Sequence, residues 1–559
     1  MLWYYNQVFD DAAPEASQWV MDLAWLLESQ TQNWTNDYNN TTARHHIVNT
    51  TQGLKTPPLL YMMDQQQDYR TGFRNGLFNI ALDHGRVDDM PNADEAAREN
   101  KPIRGTELCA VTEGLLSTEI AAQIWDEAWL GDKLETMAYN SLPAAFSPAM
   151  TAMSYYVPQT QVVAGTGNHD FEQDHFDDTA YGTHAGFECC YPNCHMGWPK
   201  FVQNMWMATK DGGLAAIAYG PNTVQAQVVG DKTACFVQTT DYPFKNDVTL
   251  DYYGEAAEFE LQLRIPTWAK SASVTVNGEP QPGVALDSYY TVHRAWAYGD
   301  KVEVSFTDEI EISTWYNNAV AVEKGALIYS LKIEEDWRTY NSNDIRGGGT
   351  VIREYLPLRE VSPAGDWNYG LVVDRDDPAS SFTVVEQPEV AMQPFSVEGA
   401  PVTLKATGQL VPEWRLEGNN AGHVPYGPIE PDPTLQREIE LIPYGSGRLR
   451  ITQFPQVGTP SATEMRTAGR DGKYITYHGT RYLEFDNVMV PNAGDYNLVV
   501  RGNGSGQVII NGKYRQNLDV AGELTLPNIA GLDGLTGGFR FGFGQYNNIR
   551  FTEGLVIDE

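Results

Sequence analysis

The sequence is poor in three features, and each shortage excludes a class of protein. No hydrophobic run is long enough to span a membrane, and residues Met1–Tyr5 lack the basic start and continuous apolar region of a signal peptide. Basic residues are scarce, because the sequence has 38 Lys and Arg but 73 Asp and Glu. The resulting net charge of −35 opposes binding to nucleic acid or anionic membranes. The five cysteines are an odd number, which excludes a fully paired disulfide framework.

The remaining composition is that of an ordinary soluble globular protein with several domains. Of the 559 residues, 42% are hydrophobic and 20% are charged. Aromatic residues make up 11%, including 14 Trp and 30 Tyr, and flat rings of this kind suit sugars, although most of them belong to the core. Crowded glycosylation sequons favour a secreted glycoprotein, against the alternative of chance in an Asn- and Thr-rich segment: Asn33, Asn39, Asn40, Asn49 and Asn503.

Hydrophobic periodicity divides the chain into a helical part and a β part. Three helices are predicted before residue 207, the second ending at Gly85 and the third with Thr106 as its N-cap; their apolar faces are Trp19/Leu23/Leu26/Leu27, Phe73/Leu77/Ile80 and Leu108/Val111/Leu115/Ile120. After Gly212 the period changes to alternation, which predicts strands at Gln225–Val229, Phe259–Ile265, Ser273–Val276 and Lys301–Phe306, with a hairpin turn at Asn277-Gly278. A last hairpin is predicted from Tyr496–Val500 to Gln507–Ile510 around the glycine-rich 502–506.

Cysteines and a glutamate form the most informative chemical pattern of the sequence. Cys189 and Cys190 are adjacent, and Glu107 and Cys109 lie well upstream. Neighbouring cysteines rarely form a disulfide with each other, and three sulfurs with one carboxylate would complete a tetrahedral shell for Zn²⁺. Residues two apart point the same way only in extended backbone, so Glu107 and Cys109 converge only if the helix begins at or after them.

The plain alternative for any of these cysteines is a small buried core residue. It accounts for Cys235 and for Cys194 without any metal, and it stays open for the adjacent pair.

Several motifs, read together, resemble glycoside hydrolase family 127, the β-L-arabinofuranosidase family. They run in the family's order from residue 1 to about 455, and the combination of Glu-x-Cys with Cys-Cys is the specific part. The matching segments are Gly105–Cys109, Tyr139–Pro143, Gly186–Cys190, Gly197–Lys200, Arg264–Trp268, Arg294–Trp296 with Gly299–Asp300, and Leu449–Thr452.

The resemblance implies an α+β multidomain fold, a partial (α/α)6 toroid followed by β-sandwich domains. The implied units are a helical catalytic part at 1–207, a β-sandwich at 208–315, a second β-sandwich region at 316–455, and a jelly-roll-like region at 456–559. The sequence of this last region resembles that of a carbohydrate-binding domain. The helical part supplies about half of a toroid, so the resemblance implies that the N-terminal half is absent. A partner chain or self-association is therefore expected to complete the barrel.

The resemblance also implies roles for individual residues. Zn²⁺ is expected on Glu107, Cys109, Cys189 and Cys190, with Cys189 as the nucleophile. Glu95 is the best match to the family's acid/base, and His46, or less well His45, to its sugar-contacting histidine. Other acids near Glu95 keep its assignment open: Asp88, Asp89, Asp94 and Glu99.

These roles predict a retaining glycosidase that acts on arabinose-containing glycans. Cysteine attacks only as a thiolate, and bound zinc would hold the sulfur of Cys189 deprotonated while Glu95 acts first as acid and then as base. Four protein ligands leave no place for a metal-bound water. The alternative is a non-catalytic carbohydrate-binding or scaffold protein with a structural zinc site. A zinc hydrolase of another bond type lacks a visible open site.

The other candidate residues have weaker support. Tyr156 is predicted to line the sugar pocket, against the alternative of a packed aromatic ring. A second metal site on His169, Asp170, Asp174 and His175 is less favoured than a solvated polar loop. Glu188 is most simply a neighbour of the cysteine pair, and Trp198 is expected in the core.

Overall fold

The computed structural model describes residues 14–40, 46–173, 176–187, 189–341, 344–346, 349–351, 354–374, 377–458 and five strands between 482 and 557. Apart from the short strands β1 (Ala93–Asp94), β2 (Ala96–Ala97) and β3 (Thr160–Gln161), the helices precede the strands along the chain, as the sequence predicted. No helix in these ranges combines the length and apolar character needed to cross a membrane.

The helical part is built around one buried helix. The helix α6 (Leu108–Ile124) is buried on nearly all sides, because other elements enclose it. Helices α3, α7 and α10 pack against α6, and α2 and α4 pack against α5. Their arrangement as part of a toroid stays a prediction. The helices are α1 (Pro14–Gln30), α2 (Trp34–Asn40), α3 (Ile47–Gly53), α4 (Thr56–Asp64), α5 (Gln67–His84), α6 (Leu108–Ile124), α7 (Ala128–Thr136), α8 (Leu142–Ala144), α9 (Cys190–Asn193) and α10 (Trp198–Asn204).

Gly85 ends α5, as the sequence predicted. The helix stops at His84, and the backbone of Gly85 is extended. A Cβ atom at this position would lie 2.0 Å from the carbonyl oxygen of Ala81. Only glycine therefore fits here, and the chain leaves the helix toward the segment that carries Glu95.

The predicted helix α1 is present, and part of its apolar face lies at the surface. Trp19 is 62% exposed and Leu26 57% exposed, whereas Val20 is buried. Periodicity reveals that a helix has an apolar face, but it does not show what packs against that face. The expected association of this part with another chain stays a prediction.

The first β unit consists of two sheets. One has the strand order β11-β10-β13-β8-β7-β6 and the other β12-β9-β5-β4. Asn277 and Gly278 both have positive φ and join β10 to β11, which confirms the predicted hairpin turn. The strands are β4 (Trp206–Ala208), β5 (Leu214–Ala216), β6 (Asn222–Val228), β7 (Lys232–Thr240), β8 (Asp247–Tyr252), β9 (Ala257–Ile265), β10 (Ser271–Val276), β11 (Glu279–Pro280), β12 (Ser288–Trp296) and β13 (Lys301–Thr307).

The second β unit is organised by an eight-stranded sheet with the order β14-β15-β16-β26-β23-β21-β28, in which β22 pairs with β23. The strand β14 ends before residue 315 and pairs with β15. The strand β28 lies after residue 455 and pairs with β21, so both strands belong to this sheet. The strands are β14 (Ile310–Thr314), β15 (Val320–Lys324), β16 (Leu327–Leu331), β17 (Glu335–Tyr340), β18 (Asp344–Arg346), β19 (Gly349–Val351), β20 (Leu358–Pro363), β21 (Tyr369–Val372), β22 (Phe382–Glu386), β23 (Val402–Leu410), β24 (Leu416–Glu417), β25 (Asn420–Ala421), β26 (Gln436–Pro443), β27 (Arg450–Ile451) and β28 (Gln456–Val457).

The predicted C-terminal hairpin is wrong. Residues 498–510 form one continuous strand, β30, which pairs along its whole length with β31. The glycine-rich segment 502–506 predicts a turn, because glycine favours turns. Glycine also adopts extended backbone, however, and pairing with β31 keeps this segment extended. Tyr496 lies outside the described residues. The strands are β29 (Tyr482–Val488), β30 (Leu498–Ile510), β31 (Tyr514–Leu526), β32 (Asn547–Thr552) and β33 (Leu555–Ile557).

Candidate active site

The start of α6 brings Glu107 and Cys109 to the same side of the chain. Glu107 is the N-cap of the helix and has extended backbone, with φ −63° and ψ 140°, so the helix begins directly after it. The sequence placed Thr106 at the cap, which is wrong, because the Thr106 hydroxyl instead donates to the carbonyl oxygen of Pro91. The Leu108 amide donates to the Tyr155 carbonyl oxygen at 3.0 Å, which fixes this segment. The helix thus begins between Glu107 and Cys109 and not after both, and the two side chains nevertheless meet in one group.

Cys189 and Cys190 at the start of α9 complete a compact group, called here the thiol cluster: Glu107, Cys109, Cys189 and Cys190. The Sγ atoms of Cys109 and Cys189 are 3.3 Å apart, and those of Cys189 and Cys190 are 3.9 Å apart. The Cys189 Sγ lies 3.7 Å from Glu107 Oε1. One candidate ligand atom from each residue lies within 4.8 Å of all the others, and the four cysteine and glutamate positions predicted from sequence therefore meet.

The thiol cluster has the donor set of a metal site. Glu107, Cys109 and Cys190 are fully buried, and Glu107 Oε2 is a buried oxygen without a hydrogen-bond partner. Burial raises the pKa of Glu107 to about 9 and holds the pKa of Cys190 well above its usual range, so without a cation these groups keep their protons. Soft sulfur ligands with one carboxylate are a donor set that Zn²⁺ prefers.

Cys189 differs from the other two thiols in exposure and in charge. It is only half-buried, and hydrogen bonds from the thiols of Cys109 and Cys190 lower its pKa to about 3. The thiolate of the cluster is therefore the sulfur that a substrate can reach.

Glu95 lies beside the thiol cluster on a tight hairpin formed by β1 (Ala93–Asp94) and β2 (Ala96–Ala97). Its backbone is left-handed, with φ 69°, and its carbonyl oxygen accepts from the Ile47 amide at 2.7 Å. The His46 Nε2 atom is 2.9 Å from Glu95 Oε2 and 3.7 Å from Glu107 Oε2. Burial would raise the pKa of Glu95, but hydrogen bonds from His46 and two tyrosines outweigh burial and lower it.

Tyr155 joins Glu95 to the thiol cluster, and sequence reasoning missed it. Its buried hydroxyl is 2.6 Å from Glu95 Oε1 and 2.7 Å from Glu107 Oε1. The Tyr156 hydroxyl donates to the same Glu95 oxygen at 3.0 Å, and Tyr156 is fully buried. Its predicted contact with a sugar stays a prediction. The Tyr-Tyr pair carries no sequence signal that would distinguish its two members.

The other acids that the sequence left open are engaged elsewhere. Each forms an ion pair with a basic side chain: Asp88 with Arg86, Asp89 with Lys133, and both Asp94 and Glu99 with Arg104. Of the five acids, Glu95 alone joins the group that includes Glu107 and His46. The geometry therefore keeps Glu95 as the acid/base candidate.

The suggested second metal site gains no support. His169 is buried rather than solvated, and its two ring nitrogens contact the Gly167 carbonyl oxygen at 2.9 Å and the Thr179 hydroxyl at 2.8 Å. Asp170 is exposed. Other residues named from sequence fall outside the described ranges: Asp174, His175, Glu188 and His45.

The remaining cysteines and Trp198 lie outside the thiol cluster. The Cys194 thiol donates to the Tyr191 carbonyl oxygen at 3.0 Å, and Cys235 lies on β7 opposite Gln225. Trp198 is half-buried and stacks on Phe146.

Comparison with known proteins gives a match to one profile and to several solved structures. The profile described as "Beta-L-arabinofuranosidase, GH127 middle domain" matches residues 213–307, which is most of the first β unit. No curated protein sequence matches the chain.

Solved structures of similar fold include a glycoside hydrolase (18% identity, TM-score 0.57, 82% of this chain and 74% of that one covered). They also include a GH127 beta-L-arabinofuranosidase from Geobacillus stearothermophilus T6 (18%, TM-score 0.53, 80% and 69%) and a GH127 beta-arabinofuranosidase (17%, TM-score 0.54, 81% and 67%). In the sequence of its first β unit and in its fold, the chain resembles glycoside hydrolase family 127, a family of β-L-arabinofuranosidases.

Proposed function

We propose that the chain is a glycoside hydrolase that removes terminal L-arabinofuranosyl groups, or related furanosyl groups, with retention of configuration. One observation carries the proposal: a half-exposed thiolate candidate, Cys189, and a carboxyl group, Glu95, both adjoin Glu107 in a single site. Retaining hydrolysis requires such a pair, a nucleophile and an acid/base on the same bond. The fold of known GH127 enzymes supports this reading.

The thiol cluster would hold Zn²⁺ through Glu107, Cys109, Cys189 and Cys190. When bound, the ion supplies the charge that keeps the cysteine sulfurs deprotonated. Because four protein groups fill a tetrahedral shell, the reacting water must be activated by a residue of the chain.

The first step would form a bond between Cys189 Sγ and the anomeric carbon while the bond from that carbon to the leaving oxygen breaks. Glu95 donates its proton to the leaving oxygen. In the second step Glu95 takes a proton from water, the water oxygen attacks the anomeric carbon, and the carbon–sulfur bond breaks to restore the Cys189 thiolate.

Neighbouring residues would prepare these two groups. His46 is partly exposed on the solvent side of Glu95 and would donate a hydrogen bond to a sugar hydroxyl. Tyr155 and Tyr156 fix the Glu95 carboxyl through its Oε1 atom, so its Oε2 atom faces His46.

The test is hydrolysis of a panel of aryl furanosides by the purified chain and by matched pairs of variants. Cys189→Ala should lose turnover by at least about 10³-fold, whereas Cys194→Ala, a thiol outside the cluster, should retain it. Glu95→Gln should lose about 10²- to 10⁴-fold, and substrates with activated leaving groups should recover much of the first step, whereas Glu99→Gln should change little.

Mass spectrometry of Glu95→Gln with an activated substrate should show one furanosyl group on the Cys189 peptide. Full activity in Cys189→Ala would overturn the proposal. A zinc-loaded, folded chain without activity on any furanoside would favour a carbohydrate-binding or scaffold protein with a structural metal.

A further inference from the structure

A second buried polar region lies where the helical part meets the second β unit, away from the thiol cluster. Arg86, which follows α5, and Arg450, on β27, are both fully buried around Tyr444. The Arg86 Nη2 atom donates to the Tyr444 hydroxyl at 3.0 Å, and the Arg450 Cζ atom lies 5.4 Å from the centre of the Tyr444 ring. These three residues are called here the arginine pair region.

The charge of Arg86 is balanced within the chain. Its Nε donates to Asp88 Oδ1 at 3.0 Å and its Nη2 donates to Asp88 Oδ2 at 2.8 Å. The Arg86 Nη1 atom, however, is buried and has no hydrogen-bond partner. Arg86 therefore contributes no net charge to the region but offers a free N–H donor.

The charge of Arg450 is not balanced by any described residue. Its Nη2 makes long hydrogen bonds, 3.3 Å to the Tyr181 hydroxyl and 3.2 Å to the Arg448 carbonyl oxygen. Its Nε and Nη1 atoms are buried without partners, and no carboxylate among the described residues pairs with it. A buried cation in this state is strongly unfavourable.

Arg448, only two residues away, shows how the same chain satisfies a buried guanidinium. Its three nitrogens donate to four backbone carbonyl oxygens: Phe146, Gly445, Ser446 and Phe395. No such set of carbonyls surrounds Arg450. The difference between these two arginines, which are two residues apart in the chain, points to a further component beside Arg450.

We propose that the arginine pair region binds a small monovalent anion, of which chloride is the physiological example. The anion would accept hydrogen bonds from Arg450 Nε and Nη1 and from Arg86 Nη1, and it would neutralise the single excess positive charge. Water could link Arg450 to the buried, unpartnered Oε1 atoms of Gln161 and Gln453, but water would leave the charge in place.

The test compares the thermal unfolding of the full chain in chloride and in gluconate at equal ionic strength. We expect a saturable rise in Tm of about 1–3 °C with chloride and with bromide, and none with gluconate. Arg450→Gln should lose this dependence, and the exposed Arg338→Gln should keep it.

A measurement on the unaltered chain covers the case in which Arg450→Gln does not fold. Crystals grown in bromide should show an anomalous peak beside Arg450 Nε. A Tm that is equal in chloride and gluconate, together with the absence of that peak, would overturn the proposal in favour of buried water.

Discussion

Two buried clusters of ionisable side chains differ in how their charges are balanced. At the junction of α7 with the first β unit, the fully buried Arg264 forms ion pairs with Asp132 and Glu135. Its guanidinium also lies over the Tyr219 ring at 5.5 Å, and Tyr242 donates to Glu135. This cluster contains groups of both signs, and its ion pairs form between residues of the chain without any ligand.

The thiol cluster contains only groups that become anions. A basic group that the structure describes beside it is His46, whose Nε2 lies 3.7 Å from Glu107 Oε2. Such a cluster must either keep its protons or take up a cation. The comparison teaches that a buried cluster whose groups are all of one sign indicates a ligand, whereas a cluster with groups of both signs indicates architecture.

The sharpest way to break the comparison is to remove the metal that we propose for the thiol cluster. Chelation should lower the free energy of unfolding, by up to about 10 kcal/mol if the site behaves as a structural zinc site. The Arg264 cluster consists of side chains alone, so a chelator should not affect it. Calorimetry with and without a chelator, followed by zinc addition, measures this. The double variant Cys109→Ser, Cys190→Ser should be insensitive to chelator; full zinc retention there would contradict the assignment.

Removing the internal cation should be costly in the Arg264 cluster. Arg264→Met removes the cation that pairs with the half-buried Asp132 and with the fully buried Glu135, and it should destabilise the chain by about 3–5 kcal/mol. Urea unfolding measures it. Lys405→Met breaks the exposed pair with Glu438 and should cost less than about 1 kcal/mol. Equal effects of the two substitutions would show that burial does not decide the outcome.

Glu119 is an intermediate case, a buried acid with a neutral partner. Asn204 Nδ2 donates to its Oε2 at 2.8 Å, its Oε1 has no partner, and burial raises its pKa to about 8. Because the folded pKa exceeds the unfolded value of 4.5, the stability that protonated Glu119 contributes is complete below pH 4.5 and is lost as pH rises to about 8.

Glu119→Gln should remove this dependence and be more stable than the original chain above pH 8, by roughly 2–4 kcal/mol. Unfolding free energies between pH 4 and 9 provide the check, with the exposed Glu258→Gln as the control. An unchanged slope across this range would mean that Glu119 is not the titrating group.

The smallest effect sharpens the comparison within the thiol cluster. Tyr155→Phe removes the hydroxyl shared by Glu95 and Glu107 but keeps the ring, and it should lower kcat/KM or zinc affinity by about 10- to 100-fold. Aryl furanoside kinetics and zinc titration separate the two outcomes. Tyr191→Phe, on an exposed ring beside the cysteine pair, is the matched control, and similar values for both variants would exclude a role for Tyr155.

The sequence by itself determined the features that depend on local pattern. Apolar periods predicted α5, its end at Gly85 and four strands of the first β unit (β6, β9, β10 and β13), because helix and strand place side chains with different repeats. The spacing of Glu107 and Cys109 and the adjacency of Cys189 and Cys190 indicated a ligand set, since soft donors in this pattern are uncommon by chance.

Only the tertiary structure decided which groups meet and which faces are covered. It selected Glu95 from five nearby acids, because the other four pair with arginine or lysine, and it placed Tyr155, which is distant in sequence from Glu95 and Glu107, between their two carboxyl groups. It left Trp19 exposed on a helix with an apolar face, and it kept the glycine-rich segment of β30 extended through pairing with β31. Contacts between distant segments have no local signature, so no repeat or spacing could have revealed them.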